Sequence, residues 1–361
     1  MSLALSRVKT ADSPTAIDLF SGAGGTSLGL EWAGFDLRLA VDSDPRKANW
    51  ISRNHPNLPV LGMEGSSGDV RALDGRMLLA AAGLQKGELD LLVGCPPCQG
   101  YSLLGNRRIV DRRNYLYRHF IRLVTQMEPR SFGFENVPGI LTAGGGRFAS
   151  DLIGSLEDLG YTVTAGLLNA SRFGVPQARE RFIALGSVEA EPRLPSGADT
   201  FVRSGPAIAD LPTRSLVLGE VTSVEICYRG EPRSKYARVM RGGRVGVANC
   251  EVTQHLPELR RRFEALGPGG VDAKTRHRRI DPESLAPTLT AGTPDRTACR
   301  PVHPSENRVL TVREAARLTS FPDWYAFPRQ IAEAWSHIGN AVPPLMARDV
   351  FRPMWRALQA S

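Results

Sequence analysis

The first half of the chain alternates short apolar runs with amphipathic stretches. The runs at 16–20, 37–41 and 131–137 have the length of buried strands. The stretches 114–127 and 148–159 repeat apolar residues every three or four positions, which predicts helices with one buried face. Such alternation is typical of a parallel sheet with crossover helices. The pattern therefore predicts an α/β fold built on a doubly wound sheet.

The apolar periodicity is lost between residues 188 and 305, where the chain is rich in Pro, Gly, Ser and Arg. This composition predicts a smaller, loop-rich domain. Regular structure returns at Thr311, because Thr311 and Glu314 have the spacing of a capping box. Pro343 and Pro344 suit the first turn of a last helix. The predicted division is 1–187, 188–305 and a C-terminal segment, 306–361, that returns to the first domain.

Charge and cysteine content narrow the class of protein. The 361 residues are 42% hydrophobic with a formal net charge of +8, and no apolar run approaches the roughly 20 residues of a membrane span. Five cysteines, an odd number, and the lack of a charged-then-apolar leader argue against a secreted disulfide framework. We therefore expect a cytoplasmic protein with no membrane partner. Residues 226–300 hold 15 Lys and Arg against 8 Asp and Glu, which predicts a polyanionic partner there.

Cys98 is the most informative single residue, because it lies in a Gly- and Pro-rich segment directly after the apolar run 89–93. Loops after strands carry the sites of open α/β sheets, and the arginines within 107–113 would favour a thiolate. Cys98 is therefore a candidate nucleophile. The spacing of Cys95 and Cys98 also allows half a zinc site, a redox pair or inert packing. The other cysteines are single and scattered, which disfavours zinc, and the long α/β pattern disfavours a thioredoxin-like domain.

A glycine-rich turn, Gly22 to Gly25, follows the first predicted strand. Glycines at such a turn let a ligand approach the backbone closely. Asp42 ends the second strand 20 residues after Gly22, the spacing at which a carboxylate accepts hydrogen bonds from a ribose. Because the full GxGxxG pattern is missing, a ligand with one adenosine and no phosphate would suffice. The alternative is a tight turn with a solvated Asp42.

Six blocks occur in this order along the chain: Asp18–Gly25, Gly94–Ser102 with Pro97-Cys98-Gln99 at its centre, Glu135–Val137, Gln177–Arg181, Arg313–Pro322 and Gly339–Pro344. In content and order they resemble the motifs of the DNA (cytosine-5) methyltransferase family. They span the chain except for about 188–286, the region that in this family varies with the DNA target. The resemblance implies a Rossmann-like methyltransferase sheet with a small target-recognition domain.

The resemblance implies covalent chemistry. Cys98 would add to C6 of cytosine, so that C5 becomes electron-rich enough to accept the methyl group of S-adenosylmethionine. The addition pushes negative charge toward N3, where the carboxyl of Glu135 would hold a proton. Arg181, with Arg179 beside it, would contact cytosine O2 and the intermediate. The product is S-adenosylhomocysteine, and no metal is required.

The family's cofactor contacts carry over to residues spread along the whole chain: Phe20, Gly22, Ala23, Gly24, Gly25, Asp42, Ser43, Asp69, Val70, Pro97, Asn340 and Ala341. The resemblance implies that Asn340 returns to the first strand through the fold. Two residues depart from the family pattern. Asp42 stands where the family usually has Glu, which predicts a shorter or water-bridged ribose contact. Cys95 replaces a common glycine, and its thiol could form an inactivating disulfide.

A base inside a duplex hides its ring faces, so the target cytosine must be flipped out. The loop from Gln99 to about Asn114, with Ser102, is the predicted lid over it. Candidate contacts in the target-recognition region are Arg276, Arg278 and Arg279, for phosphates or for guanine edges in the groove. Thr288, with Leu289, resembles a Thr-Leu pair of the family's recognition domains. Each of these could instead be a solvated charge or a loop packing residue.

The sequence thus predicts a monomeric DNA (cytosine-5) methyltransferase that acts on double-stranded DNA. A cognate restriction endonuclease is a further candidate partner. One alternative keeps the chemistry and acts on RNA, as the related tRNA methyltransferases do; the basic insertion favours duplex DNA. The other alternative is a non-catalytic DNA-binding relative, which the presence of Cys98, Glu135 and Arg181 together disfavours.

Overall fold

A computed structural model describes residues 12–97, 116–215, 224–292 and 300–360. Seven strands form the main sheet: β1 Thr15–Leu19, β2 Asp36–Val41, β3 Val60–Leu61, β4 Leu91–Gly94, β5 Ser131–Asn136, β6 Thr162–Asn169 and β7 Glu180–Ser187. The helices between them are α1 Gly25–Ala33, α2 Pro45–Asn54, α3 Gly75–Ala82, α4 Leu116–Met127 and α5 Arg147–Glu157. The predicted α/β sheet is therefore confirmed.

The strand order is β3-β2-β1-β4-β5-β7-β6. The first five strands in this order pair in parallel, and β7 pairs antiparallel with both β5 and β6. The chain winds outward from β1 in one direction as far as β3, then crosses to β4 on the other side. The order thus reverses between β1 and β4, and ligands bind outside the carboxyl ends of strands at such a point.

Helix α4 shows why the periodic pattern succeeded in this half of the chain. Four residues of the predicted apolar face, Phe120, Leu123, Val124 and Met127, are buried, while Leu116 is half-buried and Tyr117 is buried in its place. Phe120 packs edge to face with two phenylalanines of β5, with ring centroids 5.4 and 6.1 Å apart. It also fills the space above Gly94, where an added Cβ would lie 2.5 Å from its ring. A side chain at Gly94 would therefore displace α4 from the sheet.

Later in the chain, short elements alternate with long irregular stretches. The helices are α6 Ser204–Ile208, α7 Lys235–Arg241, α8 Pro257–Glu264, α9 Val312–Leu318, α10 Ile331–Asn340 and α11 Pro344–Ala360. Six two-residue strands also occur: β8 Arg214–Ser215, β9 Ile226–Cys227, β10 Gly246–Val247, β11 Glu251–Val252, β12 Arg278–Arg279 and β13 Pro301–Val302. The predicted capping box is confirmed, since Thr311 and Glu314 exchange both hydrogen bonds. Helix α11 begins at Pro344, as its proline pattern predicts.

The described residues form two compact units. The sheet unit contains the chain up to Asn169, with Glu180–Gly197 and the residues from Met346 on. The loop-rich unit contains Ala170–Arg179 and Ala198–Leu345. This division differs from the predicted one at the C-terminal segment, where α9 and α10 group with the loop-rich unit and most of α11 groups with the sheet unit. No helix among the described residues is long and apolar enough to cross a membrane.

Candidate active site

The turn between β1 and α1 has the backbone that its glycines predict. Gly22 and Gly24 have φ of 60° and 80°, and Phe20 also has a positive φ, 57°. The Gly22 amide donates to Asp42 Oδ2 at 2.8 Å, and the Asp44 amide donates to Asp42 Oδ1 at 2.9 Å. Asp42 is therefore not a solvated carboxylate, because it is buried and fixes the turn from the end of the neighbouring strand.

Two glycines that sequence reasoning missed shape the space behind Asp42. A Cβ at Gly62 would lie 1.8 Å from the Asp42 carbonyl oxygen, and one at Gly68 would lie 2.0 Å from it. The loop after β3 can approach Asp42 only because both positions lack a side chain. Two glycines shortly after the β3 run were a signal of close backbone approach that the sequence did offer.

Asp18, near the end of β1, is a third residue of this region to which sequence reasoning assigned no role. Its side chain is buried, and Ser27 of α1 donates to its Oδ2 at 2.6 Å. Its Oδ1 is also buried and has no hydrogen-bond partner in the described structure. Burial raises the pKa of this carboxyl to about 7, and Asp42 adds to the shift. An unpartnered buried acceptor beside a glycine turn fits a polar, hydrogen-bond-donating ligand such as the predicted S-adenosylmethionine.

Asp69 and Val70 lie in the irregular segment before α3. Arg71 forms an ion pair with Asp69, with Nη2 and Oδ2 2.6 Å apart, and this hydrogen bonding lowers the pKa of the Asp69 carboxyl. Val70 is buried in the main hydrophobic core of the sheet unit. Of the other residues predicted to bind cofactor, Ser43 and Pro97 are exposed, and Ala23 is buried.

The predicted catalytic pair is brought together. Glu135 is the next-to-last residue of β5 and Arg181 is the second residue of β7. The antiparallel pairing of these strands brings the two side chains together. Arg181 Nε lies 2.9 Å from Glu135 Oε1, and each side chain is only about one-tenth exposed, at 11% and 12%. Removing two charged groups from water costs free energy unless they bond to each other with good geometry. A largely buried charged pair is therefore a candidate functional site.

The segment before Cys98 is held beside this pair. Asn136, next to Glu135, donates through Nδ2 to the Pro96 carbonyl at 3.2 Å. The Cys95 thiol lies 3.5 Å from Thr26 Oγ1. Burial raises the pKa of Cys95 well above the usual range of a thiol, and the charge of Glu135 adds to the shift. Cys95 is therefore a protonated packing residue at neutral pH, while Cys98, Gln99 and Ser102 lie outside the described residues.

Arg179 has a different place from the one its resemblance implies. It belongs to the loop-rich unit, is fully buried, and donates to the main-chain carbonyls of Leu289, Gly339 and Ala341 at 2.8–2.9 Å. A direct contact with cytosine does not fit this geometry. The structure instead favours a positioning role, in which Arg179 joins the segment around Leu289 to the end of α10. Asn340 lies exposed at that end, and Ala341 is buried.

The predicted DNA-contacting residues differ in their exposure to solvent. Arg276 and Arg278 are exposed. Thr288 donates its hydroxyl to the Ala178 carbonyl at 2.5 Å, inside the loop-rich unit. Arg279 is a correction, because it is buried and each of its nitrogens donates to acceptors of the protein itself: the carbonyls of Phe263, Leu266, His303, Pro304 and Glu306, and Asn307 Oδ1. No donor of Arg279 remains for a phosphate or a guanine. Among the described residues, no group of three or more His, Cys, Asp and Glu side chains could hold a metal.

Comparisons with known proteins show the family to which the chain belongs. Residues 15–356 match the family model described as C-5 cytosine-specific DNA methylase. The chain is 38% identical over 370 residues to the type II methyltransferase M.XorII of Xanthomonas oryzae, a match that covers 96% of this chain and 85% of that protein. It is 33% identical to the type II methyltransferase M.DdeI of Desulfomicrobium norvegicum, covering 92% of this chain and 86% of that protein.

A crystal structure of a protein described as a DNA modification methyltransferase encoded within an E. coli prophage superposes with a TM-score of 0.81 and 27% identity. That match covers 95% of this chain and 99% of the other. The S. pombe Dnmt2 methyltransferase, at 15% identity and a TM-score of 0.62, shares the fold. The chain belongs to the C-5 cytosine-specific DNA methylase family and is a DNA (cytosine-5) methyltransferase.

Proposed function

We propose that this enzyme methylates C5 of a flipped-out cytosine within a specific sequence of duplex DNA, through a covalent adduct on Cys98. The observation that carries the proposal is the Glu135–Arg181 pair, 2.9 Å apart and about one-tenth exposed, beside the Cys95–Pro97 segment that leads into Cys98. A nucleophile, a proton-holding carboxyl and a cation are the groups that addition to a cytosine ring requires.

The chain's own residues divide the chemistry between them. The Cys98 thiolate forms a bond to C6, and the electron pair of the C5–C6 double bond moves into the ring toward N3. Glu135 holds a proton at N3, and Arg181 fixes the orientation of the Glu135 carboxyl through Oε1. C5, made electron-rich by the addition, would then bond to the methyl group that bound S-adenosylmethionine supplies. Loss of the C5 proton to water re-forms the C5–C6 double bond and breaks the C6–S bond, which releases the Cys98 thiolate. Splitting one difficult substitution into addition and elimination is the advantage of the covalent route.

S-adenosylmethionine fits the β1–α1 turn. The residues that would hold it are Phe20, Gly22 and Gly24 of the turn, with Asp42 toward the ribose and Asp69 beyond it. Asp18 adds a buried acceptor that has no partner in the described structure. When bound there, the cofactor supplies an electrophilic methyl group for C5. Asp42 is already held by the amides of Gly22 and Asp44, so its carboxylate is oriented before any ligand arrives.

Replacing Cys98 tests the covalent step. We expect Cys98→Ala to abolish methyl transfer and to leave S-adenosylmethionine and DNA binding close to wild type. Duplex DNA with 5-fluorocytosine at the target should trap wild-type protein in a complex that survives denaturing electrophoresis, because the adduct cannot lose fluorine from C5. The matched control is Cys95→Gly, which should still form the complex. Transfer by Cys98→Ala near the wild-type rate would refute the covalent route.

The substrate class is tested with labelled cofactor. We expect transfer to duplex DNA and none to tRNA, and bisulfite sequencing of DNA from cells that express the protein should show one methylated sequence. The exposed Arg276 and Arg278 of the loop-rich unit support a DNA surface there. The relatives M.XorII and M.DdeI are named type II methyltransferases, which supports a cognate restriction endonuclease as partner. We further propose a monomeric enzyme, since methylation of one base per event requires one copy of the site. We propose a cytoplasmic location, since a free Cys98 thiolate is preserved in a reducing compartment.

A further inference from the structure

We propose that Arg122, with Gln126 one turn later on α4, is a positioning residue for S-adenosylmethionine, through the segment that carries Asp69 and Val70. The inference rests on the proposed function, in which that segment contacts the cofactor. Neither residue belongs to the motifs that the chain shares with the family. The two side chains lie four positions apart, so they project from one face of α4.

The contacts of Arg122 are with main-chain oxygens. Its Nη2 donates to the Val70 carbonyl at 2.7 Å and to the Leu73 carbonyl at 2.9 Å. Its Nη1 donates to Gln126 Oε1 at 3.0 Å, and the same Oε1 accepts from the Gly75 amide at 2.9 Å. One arginine and one glutamine thus hold three points on the segment from Val70 to Gly75.

The segment needs such support because it has no regular structure between β3 and α3. Turns within the segment satisfy some of its backbone groups, such as the Ala72 amide, which donates to the Asp69 carbonyl. Other carbonyls, including those of Val70 and Leu73, accept from Arg122. Near its start, Gly62 and Gly68 pack against the Asp42 carbonyl, with no room for a Cβ at either position. At its end, Arg122 and Gln126 supply the bonds. Asp69 lies between these two fixed points, directly before Val70.

Gly75 shows how closely α4 approaches the segment. A Cβ at Gly75 would lie 2.7 Å from Gln126 Cβ and 2.9 Å from Met127 Cγ. The helix, the amide of Gly75 and the carbonyls of Val70 and Leu73 therefore form one packed unit. Displacing Arg122 leaves two carbonyls without their charged donor, and charge-assisted bonds of this kind are among the stronger ones in proteins.

The test uses full-length Arg122→Met, Arg122→Lys and Gln126→Ala. We expect the Kd of S-adenosylmethionine, measured by calorimetry without DNA, to rise about tenfold in Arg122→Met, the equivalent of one lost charged hydrogen bond. In steady state, KM for S-adenosylmethionine should rise while kcat at saturating cofactor and KM for DNA stay near wild type. Arg122→Lys keeps one cationic donor and should recover part of the affinity. Gln126→Ala should give a smaller rise in Kd and serves as the second variant if Arg122→Met does not fold.

The matched control is Arg118→Met, which removes an exposed arginine of the same helix that pairs with Asp151. The Arg118→Met variant should bind S-adenosylmethionine as wild type does.

A purely structural role for Arg122 would lower the midpoint of thermal unfolding in Arg122→Met without changing Kd, and that result overturns the inference. Asp69→Ala tests the proposed function separately. Unchanged affinity of Asp69→Ala for S-adenosylmethionine counts against Asp69 as a cofactor contact. Unchanged affinity of folded Arg122→Met and Gln126→Ala counts against the positioning role.

Discussion

The sheet unit and the loop-rich unit hold their chains in place by different means. In the sheet unit, seven strands satisfy one another's backbones, and a large cluster of Leu, Val, Ile and Phe side chains fills the core. In the loop-rich unit the strands are two residues long, and buried arginines bond to carbonyls and carboxylates instead. These are Arg179, Arg279, Arg308, Arg313 and Arg317, none more than 7% exposed.

The difference follows from backbone hydrogen bonding. A chain without long strands or helices leaves many buried carbonyls that still require donors. Arginine carries five N–H groups in a fixed fork and can satisfy several of them at once. Arg279 does this for six acceptors and Arg179 for three. A high arginine content in such a unit therefore reports on its internal structure as well as on its surface.

The largest effect should come from Arg317→Met. Arg317 pairs with Asp210 and Asp323, and all three side chains are fully buried. Removing Arg317 leaves two buried carboxylates without its charge, and Asp323 keeps the hydrogen bond that Tyr228 donates. The expected loss is about 3–5 kcal/mol in the free energy of unfolding. Chemical denaturation measures it, and hydrogen exchange should show the loss of protection within 198–345 more than in the sheet unit. The exposed Arg238→Met on α7 is the control, and equal stability of the two variants would contradict the comparison.

Arg279→Met should have the second largest effect. It leaves the carbonyls around Phe263 and His303 without a donor, and each unsatisfied buried group costs about 1–3 kcal/mol before the site relaxes. We expect a net loss of about 2–3 kcal/mol, measured by denaturation. DNA affinity of the remaining folded protein should match that of wild type at low temperature. If Arg279→Met were as stable as wild type and bound DNA poorly, Arg279 would be a DNA contact after all.

In the sheet unit the sharpest electrostatic prediction concerns Asp18, whose pKa burial raises to about 7. The folded protein therefore binds a proton at Asp18 that the unfolded chain has already lost above about pH 4. This contribution to stability is fully present below about pH 4 and is lost as pH rises through 7, by at most about 1.4 kcal/mol per pH unit. Asp18→Asn should flatten the profile measured by denaturation at several pH values. Asp158→Asn, an exposed control, should keep the wild-type slope.

The smallest effect on stability should come from Arg278→Met, the exposed neighbour of Arg279. Loss of one phosphate contact should weaken DNA binding alike across sequences and reduce the slope of log affinity against log salt by about 1. The free energy of unfolding should change by less than about 0.5 kcal/mol. Fluorescence anisotropy at several salt concentrations measures the binding. Arg53→Met on α2 is the control, and a salt slope unchanged in Arg278→Met would remove Arg278 from the DNA surface.

Much of the sheet unit could be predicted from the sequence. The runs at 16–20, 37–41 and 131–137 became β1, β2 and β5 within a residue or two, because a buried parallel strand and an amphipathic helix each impose a period on the chain. Glu135 and Arg181 could be assigned from their motifs. That they meet at 2.9 Å depends on the antiparallel pairing of β5 with β7, which the pattern did not predict.

The loop-rich unit shows where that reasoning ends. The excess of Lys and Arg over 226–300 predicted a basic surface, yet Arg279 is buried within that window and Arg278 is exposed beside it. Arg278 and Arg279 are adjacent residues of the same type, so the local sequence pattern does not distinguish them. Which of the two faces inward depends on the acceptors that distant segments bring near, such as the carbonyls of Phe263 and His303.

By itself, the sequence determined the periodic elements, the glycine turn, the Asp42 spacing and the motifs of the family, because each of these is a property of neighbouring residues. Only the tertiary structure decided which polar side chains became internal partners. Asp18 on Ser27, Asn136 on Pro96, Arg122 on Val70 and Arg179 on Leu289 are contacts between segments 9 to 110 residues apart. A side chain's role there depends on whether its hydrogen-bonding groups face water or another part of the chain.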